Sequence, residues 1–177
     1  MTTAFFDIDT QIDFLYPAGA LYVPGAEKIV PAVARLNQWA AAHGIPVVST
    51  VDAHAEDDPE FKSWPPHCVA GTAPQAKPAA TRLPEGQTIL EKQTTDVGAA
   101  PELDEVLARL GVERAVVYGV VTEICVAAAA RALLRRGKQV VVVTDAVMHL
   151  DDAGARRFYQ ELEAAGGTVA TVAEVTG

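Results

Sequence analysis

Cys125 is the residue of this chain whose surroundings most favour covalent chemistry. The run 114–119 (RAVVYG) is short, apolar and rich in β-branched residues, which predicts a buried strand. Residues 122–136 predict a helix, with Thr122 as its N-cap and Gly137 as its C-cap. Cys125 therefore falls in the first turn of a helix, where unpaired N–H groups and the helix dipole favour a thiolate and could hold an oxyanion. We expect its pKa to lie below about 8.5, the value of a free thiol. A small buried apolar role is the alternative.

A cysteine nucleophile needs a proton acceptor and a neighbouring positive charge. Asp9 follows an apolar strand, where partial loss of water raises the pKa of a carboxylate toward that of a useful base. Lys92 ends the predicted strand 88–91 and supplies the positive charge. Each residue taken alone also fits a structural role, because an aspartate at a strand end often caps a turn and a lysine there is usually solvated.

Asp52, His54 and His67 have the residue types of a metal site. Asp52 and His54 stand at i and i+2, so their side chains project to the same side of an extended segment. Two imidazoles and a carboxylate suit zinc, and also divalent iron or manganese, with positions left for water or substrate. The spacing is loose, and histidines are also common on surfaces. The same loop offers further carboxylates, those of Glu56, Asp57, Asp58 and Glu60.

Two aromatic residues are candidate walls for a planar ligand. Phe14 and Trp64 are able to stack on a ring. Packing in the core is the alternative for Phe14. It explains Trp64 less well, because Trp64 is flanked by charged residues and two prolines.

The predicted elements alternate between strand and helix. Strands are expected at residues 4–9, 47–51, 88–91, 115–119, 139–144 and 168–172. Helices are expected at residues 26–42, 102–110, 122–136 and 152–165. This alternation predicts one α/β domain over residues 1–177, a doubly wound, Rossmann-like sheet of about six mainly parallel strands with helices on both faces.

The predicted sheet brings the reactive residues together. Ligands of such a sheet bind outside the carboxyl ends of its strands. Asp9, Asp52, Lys92 and the start of the Cys125 helix all lie at or just past a predicted strand end. The Pro-rich segment 53–86 has little pattern, and a loop of that length is usually functional.

Composition and charge exclude several classes of partner. The 177 residues are 50% hydrophobic and carry a net charge of −9, with a pI of about 4.8. An acidic chain does not favour nucleic acids, whose phosphates need a basic surface, or anionic membranes. A small-molecule substrate is compatible with this charge.

The cysteines and the first residues indicate a cytoplasmic protein. Cys68 and Cys125 are too few for a disulfide framework. The opening MTTAFFDID has no basic region and carries two aspartates in its apolar run, unlike a signal peptide. A homo-oligomer is compatible with the sequence, which does not determine the oligomeric state.

Three segments resemble the nicotinamidase and isochorismatase-like cysteine hydrolases. Residues 9–14 (DTQIDF) resemble the family's D-x-Q-x-D-F opening. Residues 64–72 (WPPHCVAGT) are similar to the W-P-x-H-C-V-x-G-T segment of nicotinamidases, and residues 119–126 (GVVTEICV) to the nucleophile segment G-V-x-T-D-x-C-V. The resemblance covers nearly the whole chain, with Lys92 between the last two segments.

The resemblance implies a role for each matched residue. Cys125 would be the nucleophile, Asp9 its base and Lys92 the third member of a triad. The N–H groups of Val121 and Cys125 would form the oxyanion hole, and the Val120–Val121 peptide would be cis. The implied metal ligands are Asp52, His54 and His67, with Glu60 as a further ligand, and the implied ring-pocket residues are Phe14 and Trp64.

The implied reaction is hydrolysis of a small amide, nicotinamide being the expected substrate, through a thioester acyl-enzyme. Glu123 replaces the family's usual Asp, which is a conservative change. The residues after Lys92 lack the aromatic residue that nicotinamidases usually have there, so we expect a wider or differently shaped pocket. Another amide, such as a carbamoyl or ureido compound, is the alternative substrate. Isochorismatase activity is less favoured, because those enzymes lack the metal residues. A non-catalytic protein that binds a metal or a partner is the alternative outside enzymes.

Overall fold

The fold is a six-stranded parallel sheet with helices on both faces, as the alternation of elements predicts. The computed structural model describes all residues from 1 to 177. The strands are β1 (Thr3–Ile8), β2 (Val47–Asp52), β3 (Gln87–Lys92), β4 (Arg114–Val120), β5 (Gln139–Met148) and β6 (Thr168–Ala170). They pair in parallel in the order β3-β2-β1-β4-β5-β6. The order reverses between β1 and β4, so the ends of these two strands flank the crevice in which such sheets bind ligands.

Six helices accompany the strands. They are α1 (Ile12–Leu15), α2 (Val30–Ala42), α3 (Glu102–Leu110), α4 (Ala127–Arg135), α5 (Asp152–Ala164) and α6 (Val172–Thr176). Buried side chains of the strands and helices form one core of Val, Ala, Leu and Phe. None of the helices is long and apolar enough to cross a membrane.

Several predicted element boundaries are corrected. Residues 26–29 form a 3₁₀ turn that precedes α2, and β5 extends four residues beyond its predicted end at Thr144. The last strand stops at Ala170 because Thr171 caps α6, its hydroxyl accepting from the Glu174 N–H in a capping box.

The predicted N-cap of the cysteine helix is wrong. Residues 122–126 form a π-helical turn before α4, and the Val126 N–H donates to the Val121 carbonyl at 3.1 Å. Val121 therefore takes the cap position, and the Thr122 hydroxyl is buried without a hydrogen-bond partner. The Val120–Val121 peptide is cis, as the family resemblance implies.

Segment 53–86 is the long loop expected from its composition. Its only helical turns are short 3₁₀ turns at Pro59–Lys62 and Ala79–Thr81. It begins at the carboxyl end of β2 and returns to the amino end of β3, so it passes beside the end of the sheet where ligands bind.

Gly119 allows β1 and β4 to approach each other at this end of the sheet. Its φ is +119°, and it pairs with Ile8. A Cβ at this position would lie 2.1 Å from the Ile8 carbonyl oxygen, a backbone atom that cannot rotate away. Only glycine therefore fits here.

We expect Gly119→Ala to lower the free energy of unfolding by about 3 kcal/mol or more, because it adds backbone strain and a steric clash. The matched control is Gly137→Ala, where φ is +72° but no atom lies within 4 Å of the added Cβ. The control should lower the free energy of unfolding by about 1 kcal/mol, because only the strain of its backbone conformation is added. Denaturant unfolding measures both, and equal losses would contradict the close approach of the strands.

Candidate active site

A buried cluster of two carboxylates and one ammonium lies at the ends of β1, β2 and β3. Asp9 follows β1, while Asp52 and Lys92 are paired final residues of β2 and β3. The Lys92 Nζ lies 2.8 Å from the Asp9 Oδ2 and also donates to the Asp52 Oδ1. The Thr50 hydroxyl donates to the other Asp9 oxygen at 2.6 Å. The strand ends thus hold one positive charge between two negative ones.

These charges keep Lys92 ionised although it is only 4% exposed. Burial opposes the ammonium, but the Asp9 carboxylate and further negative neighbours outweigh it and raise the pKa of Lys92 above its usual range. Burial also raises the pKa of Asp9, against the opposing effect of Lys92. Asp9 is therefore a carboxylate with increased proton affinity, a suitable property for a base.

Cys125 lies beside Asp9, on the π-helical turn after β4. Burial and then the Asp9 carboxylate raise the pKa of the Cys125 thiol well above its usual value, and Lys92 opposes them. The expectation of a lowered pKa is therefore wrong, because loss of solvent outweighs the positive neighbour. Burial and the nearby Asp9 carboxylate both favour the protonated thiol.

Val121 presents a free backbone donor next to this thiol. Its N–H donates no hydrogen bond within the chain. Both Val121 and Cys125 line a mostly apolar cavity. An oxygen atom of a bound molecule would find an unused donor there.

Asp52, His54 and His67 form a compact group of metal-ligating atoms, all within 4.8 Å of one another. The Nε2 atoms of His54 and His67 lie 3.8 Å and 3.7 Å from the Asp52 Oδ2. The Nδ1 atom of each ring makes a hydrogen bond on the side away from Asp52. That of His54 bonds the Asp58 carboxylate at 3.0 Å, and that of His67 bonds the Pro65 carbonyl at 2.8 Å. Such outer partners orient imidazoles toward a metal.

The donor set fits a divalent cation. The His54 Nε2 is buried and has no hydrogen-bond partner, which is costly unless a ligand occupies it. Asp52 raises the pKa of His54 to about 8, against the effect of burial. Burial opposes ionisation of Asp52, but the two neighbouring imidazoles and the charge of Lys92 lower its pKa below the usual range.

Glu60 lies beside this group without joining it. Its carboxylate falls within 4.8 Å of ligating atoms of His54 and Asp58, and this second group does not include Asp52 or His67. Asp58 accepts a hydrogen bond from the Glu60 N–H at 2.9 Å, which positions the turn. A role of Glu60 as a metal ligand remains a prediction.

A cavity of about 320 Å³ opens onto both groups. Its wall includes Cys125 and Val121 together with two of the candidate metal ligands, Asp52 and His67. The cavity is mostly apolar, ten of its fourteen lining residues being hydrophobic. Such a cavity, with a few polar groups, is typical of small-molecule sites.

The two expected aromatic residues line this cavity. Phe14 is buried, and its ring centroid lies 5.7 Å from that of His67. Trp64 is 40% exposed. Thr95 also lines the cavity, from the segment after Lys92 that lacks an aromatic residue. This segment therefore contributes a threonine and no aromatic ring to the wall, and a wider or differently shaped pocket remains a prediction.

Sequence reasoning missed Phe61, whose ring packs on both histidines. Its centroid lies 5.4 Å from that of His54 and 5.6 Å from that of His67. A phenylalanine in a polar loop carries no spacing signal, and only the folded loop places it over the imidazoles. Phe61 restricts the rotation of both rings.

Sequence reasoning also missed the hydrogen bonds by which the D-x-Q-x-D motif positions neighbouring backbone. The Gln11 side chain makes two hydrogen bonds to the backbone of Asp52. It donates to the Asp52 carbonyl at 2.8 Å and accepts from the Asp52 N–H at 2.7 Å. Asp13 accepts from the Cys68 N–H at 2.6 Å and thereby holds the residue next to His67. Their occurrence in the motif beside Asp9 was the available signal.

Glu123, which replaces the usual aspartate, fixes another wall of the cavity. One of its carboxylate oxygens accepts from the N–H groups of Leu150 at 2.9 Å and Asp151 at 2.8 Å. Leu150 lines the cavity. The longer side chain therefore ties the segment after β5 to the cysteine turn.

Comparisons with known proteins identify the family to which this chain belongs. The profile of the Isochorismatase domain matches residues 3–174. The chain is 27% identical to a nicotinamidase of Acinetobacter baylyi, over 90% of this chain and 87% of that protein. A pyrazinamidase of Pyrococcus horikoshii, solved in complex with zinc, has a TM-score of 0.90 and 30% identity, covering 97% of this chain and 99% of its own. The N-carbamoylsarcosine amidase of Thermoplasma acidophilum has a TM-score of 0.88 and 29% identity, and the match covers 100% of each chain.

The chain therefore belongs to the isochorismatase family of hydrolases. Its relatives are named as amidases, and it is an amide-acting cysteine hydrolase close to the nicotinamidases.

We expect the purified protein to bind about one divalent metal ion per chain, and the double variant His54→Ala, His67→Ala to lose it, because two of three ligands are removed. Metal analysis after dialysis measures the occupancy. His43→Ala is the control, since His43 bonds only the Trp39 carbonyl on the surface of α2. Full occupancy in the double variant would refute these ligands.

Proposed function

We propose that the protein is a nicotinamidase, which hydrolyses nicotinamide to nicotinate and ammonia through a thioester on Cys125. The observation that supports this most directly is the cavity, whose wall carries the cysteine and the candidate metal ligands Asp52 and His67 together. A planar amide between them would present its carboxamide to the thiol and its ring to the metal group. The zinc-bound pyrazinamidase of similar fold supports zinc as the ion, with iron or manganese as alternatives.

The charge of the cavity favours an uncharged amide. Its only acidic lining residues are Asp52 and Glu60, and no lysine or arginine lines it. The carboxylate of N-carbamoylsarcosine, or the two of isochorismate, would meet no positive side chain there and would depend on the proposed cation alone for pairing, and an unpaired charge in an apolar cavity is costly. Nicotinamide carries no charge at neutral pH and avoids this cost.

Proton transfer from Cys125 to Asp9 starts the proposed reaction. The raised proton affinity of Asp9 suits it to take the thiol proton. The thiolate attacks the carboxamide carbon, and the oxygen gains negative charge near the N–H groups of Val121 and Cys125. Asp9 returns the proton to the leaving nitrogen, and ammonia departs. Lys92 holds the Asp9 carboxylate at 2.8 Å throughout.

Asp9 then activates a water molecule for the second half of the reaction. The water loses a proton to Asp9 and attacks the thioester carbon, the carbon–sulfur bond breaks, and the proton returns to the sulfur. The acid and the thiol are restored. Asp52, His54 and His67 would hold the cation, with Glu60 as a further ligand. When bound, the ion would act as a Lewis acid toward the ring nitrogen of the substrate.

We further propose that residues 1–177 act as one catalytic domain in the cytoplasm. The match to one family domain over residues 3–174 and the two free, buried cysteines support this. A homo-oligomer remains compatible with the chain.

We expect Cys125→Ala to lower kcat by about 10³-fold or more, because the covalent route is lost. Cys68→Ala is the matched control, since Cys68 is equally free and buried but does not line the cavity. Ammonia release measures both variants, and circular dichroism checks their folds. Turnover retained in Cys125→Ala but lost in Cys68→Ala would show that the nucleophile is wrongly assigned.

Nicotinamide should be hydrolysed about 100-fold more efficiently than benzamide, because a lost bond between the ring nitrogen and the metal removes a few kcal/mol of transition-state binding. The two amides share their shape and differ at one ring atom. The ratio of kcat/KM in zinc-loaded protein is the measurement. Equal values would remove the metal from substrate recognition. Activity on N-carbamoylsarcosine but none on nicotinamide would favour the alternative substrate class.

A further inference from the structure

A buried ion pair outside the cavity joins the long loop to the central strand. The Lys77 Nζ lies 2.7 Å from the Asp7 Oδ2, and the two residues are 5% and 0% exposed. Thr10 bridges them, because its hydroxyl donates to Asp7 at 2.6 Å and accepts from Lys77. Neither charged residue lines the cavity, so the proposed reaction does not use them directly.

Neighbouring elements complete the hydrogen bonding of this pair. Asn37 on α2 donates to the Asp7 Oδ2 at 2.8 Å and to the Thr81 carbonyl at 2.8 Å. The Tyr118 hydroxyl of β4 donates to the Asn37 side chain. The network therefore connects two strands, one helix and the far part of the loop, and none of its side-chain atoms lacks a partner.

Stability alone does not explain a buried ion pair. Removing two charges from water costs several kcal/mol, and apolar residues of similar volume are often as stable or more so. Buried ionic groups are retained in some proteins because they specify one arrangement among several. A long loop on a sheet is a setting where such specification is useful.

The loop residues just before Lys77 hold the segment that follows Asp9. The carbonyls of Ala76 and Pro74 accept from the N–H groups of Ile12 at 2.9 Å and Asp13 at 3.0 Å. The Gln75 carbonyl accepts from the Gln11 side chain at 2.7 Å. Fixing Lys77 therefore fixes the contacts of α1 and its first residues.

These residues lead directly to the candidate metal ligands. Gln11 holds the Asp52 peptide through two hydrogen bonds, and Asp13 holds the Cys68 N–H beside His67. We propose that Lys77 and Asp7 are positioning residues, which set Asp52 and His67 at the distance that a metal requires. The proposal rests on the metal centre of the proposed function.

The test is the double variant Asp7→Leu, Lys77→Met, which removes both charges at similar volume. We expect it to fold, to bind zinc about 10- to 100-fold more weakly in a chelator competition, and to show an altered visible spectrum with cobalt in place of zinc. The amide of Cys68 should exchange its hydrogen at least about tenfold faster in metal-free protein, because its acceptor Asp13 is no longer fixed.

Arg35→Met is the matched control. It removes another tether of α2, the 2.9 Å hydrogen bond from Arg35 to the Thr176 hydroxyl. Its zinc affinity, cobalt spectrum and Cys68 exchange should equal those of the wild type, even if its melting temperature falls.

The proposal would be overturned if the double variant matched the wild type in zinc affinity, cobalt spectrum and Cys68 exchange. Should that variant fail to fold, Asp7→Asn, which keeps the volume of the side chain, is measured in the same way and judged by the same outcomes. Absence of zinc binding in the wild type would instead refute the proposed metal centre, and the exchange of the Cys68 amide would still decide whether the pair positions the loop.

Discussion

The contact of Lys92 with both Asp9 and Asp52 is the interaction on which the rest of the site depends. Two carboxylates so close together would repel each other in a buried setting, and one would take up a proton. The ammonium between them keeps Asp52 ionised and opposes protonation of Asp9. A single lysine thereby serves a candidate base and a candidate metal ligand at once.

Parallel strands make this contact geometrically available. Asp52 and Lys92 are register partners at the ends of β2 and β3, and β1 lies on the other side of β2. The crevice between β1 and β4 then admits the cysteine turn next to Asp9, and Gly119 permits the close approach of the two strands. The long loop covers the same end of the sheet and contributes both histidines.

Burial has opposite consequences for the two halves of the site. It raises the pKa values of Cys125 and Asp9, so the thiol proton and its acceptor are held together in the resting state. Around Asp52 it leaves the His54 Nε2 unpaired, which favours occupation by a cation. The same loss of solvent therefore disfavours a free thiolate and leaves the His54 Nε2 in need of a partner.

Much of the fold and the family followed from local pattern. Hydrophobic runs and glycine stops predicted the six strands and the alternating helices, because burial of apolar faces has a period that the residues display directly. The three motifs predicted the isochorismatase-like family, and Asp9, Asp52 and Lys92 could be placed at one edge from topology alone.

The tertiary structure decided what depends on solvent and on distant contacts. The pKa of Cys125 rises because the folded chain buries its thiol, which no local spacing displays. The π-helical turn at Thr122, the ring of Phe61 over both histidines and the Lys77–Asp7 pair all join residues whose contact arises only from the folded loop and sheet. The sequence by itself determined the elements and the reactive residue types, because these depend on local propensity and periodicity. Their distances and protonation were left to long-range packing.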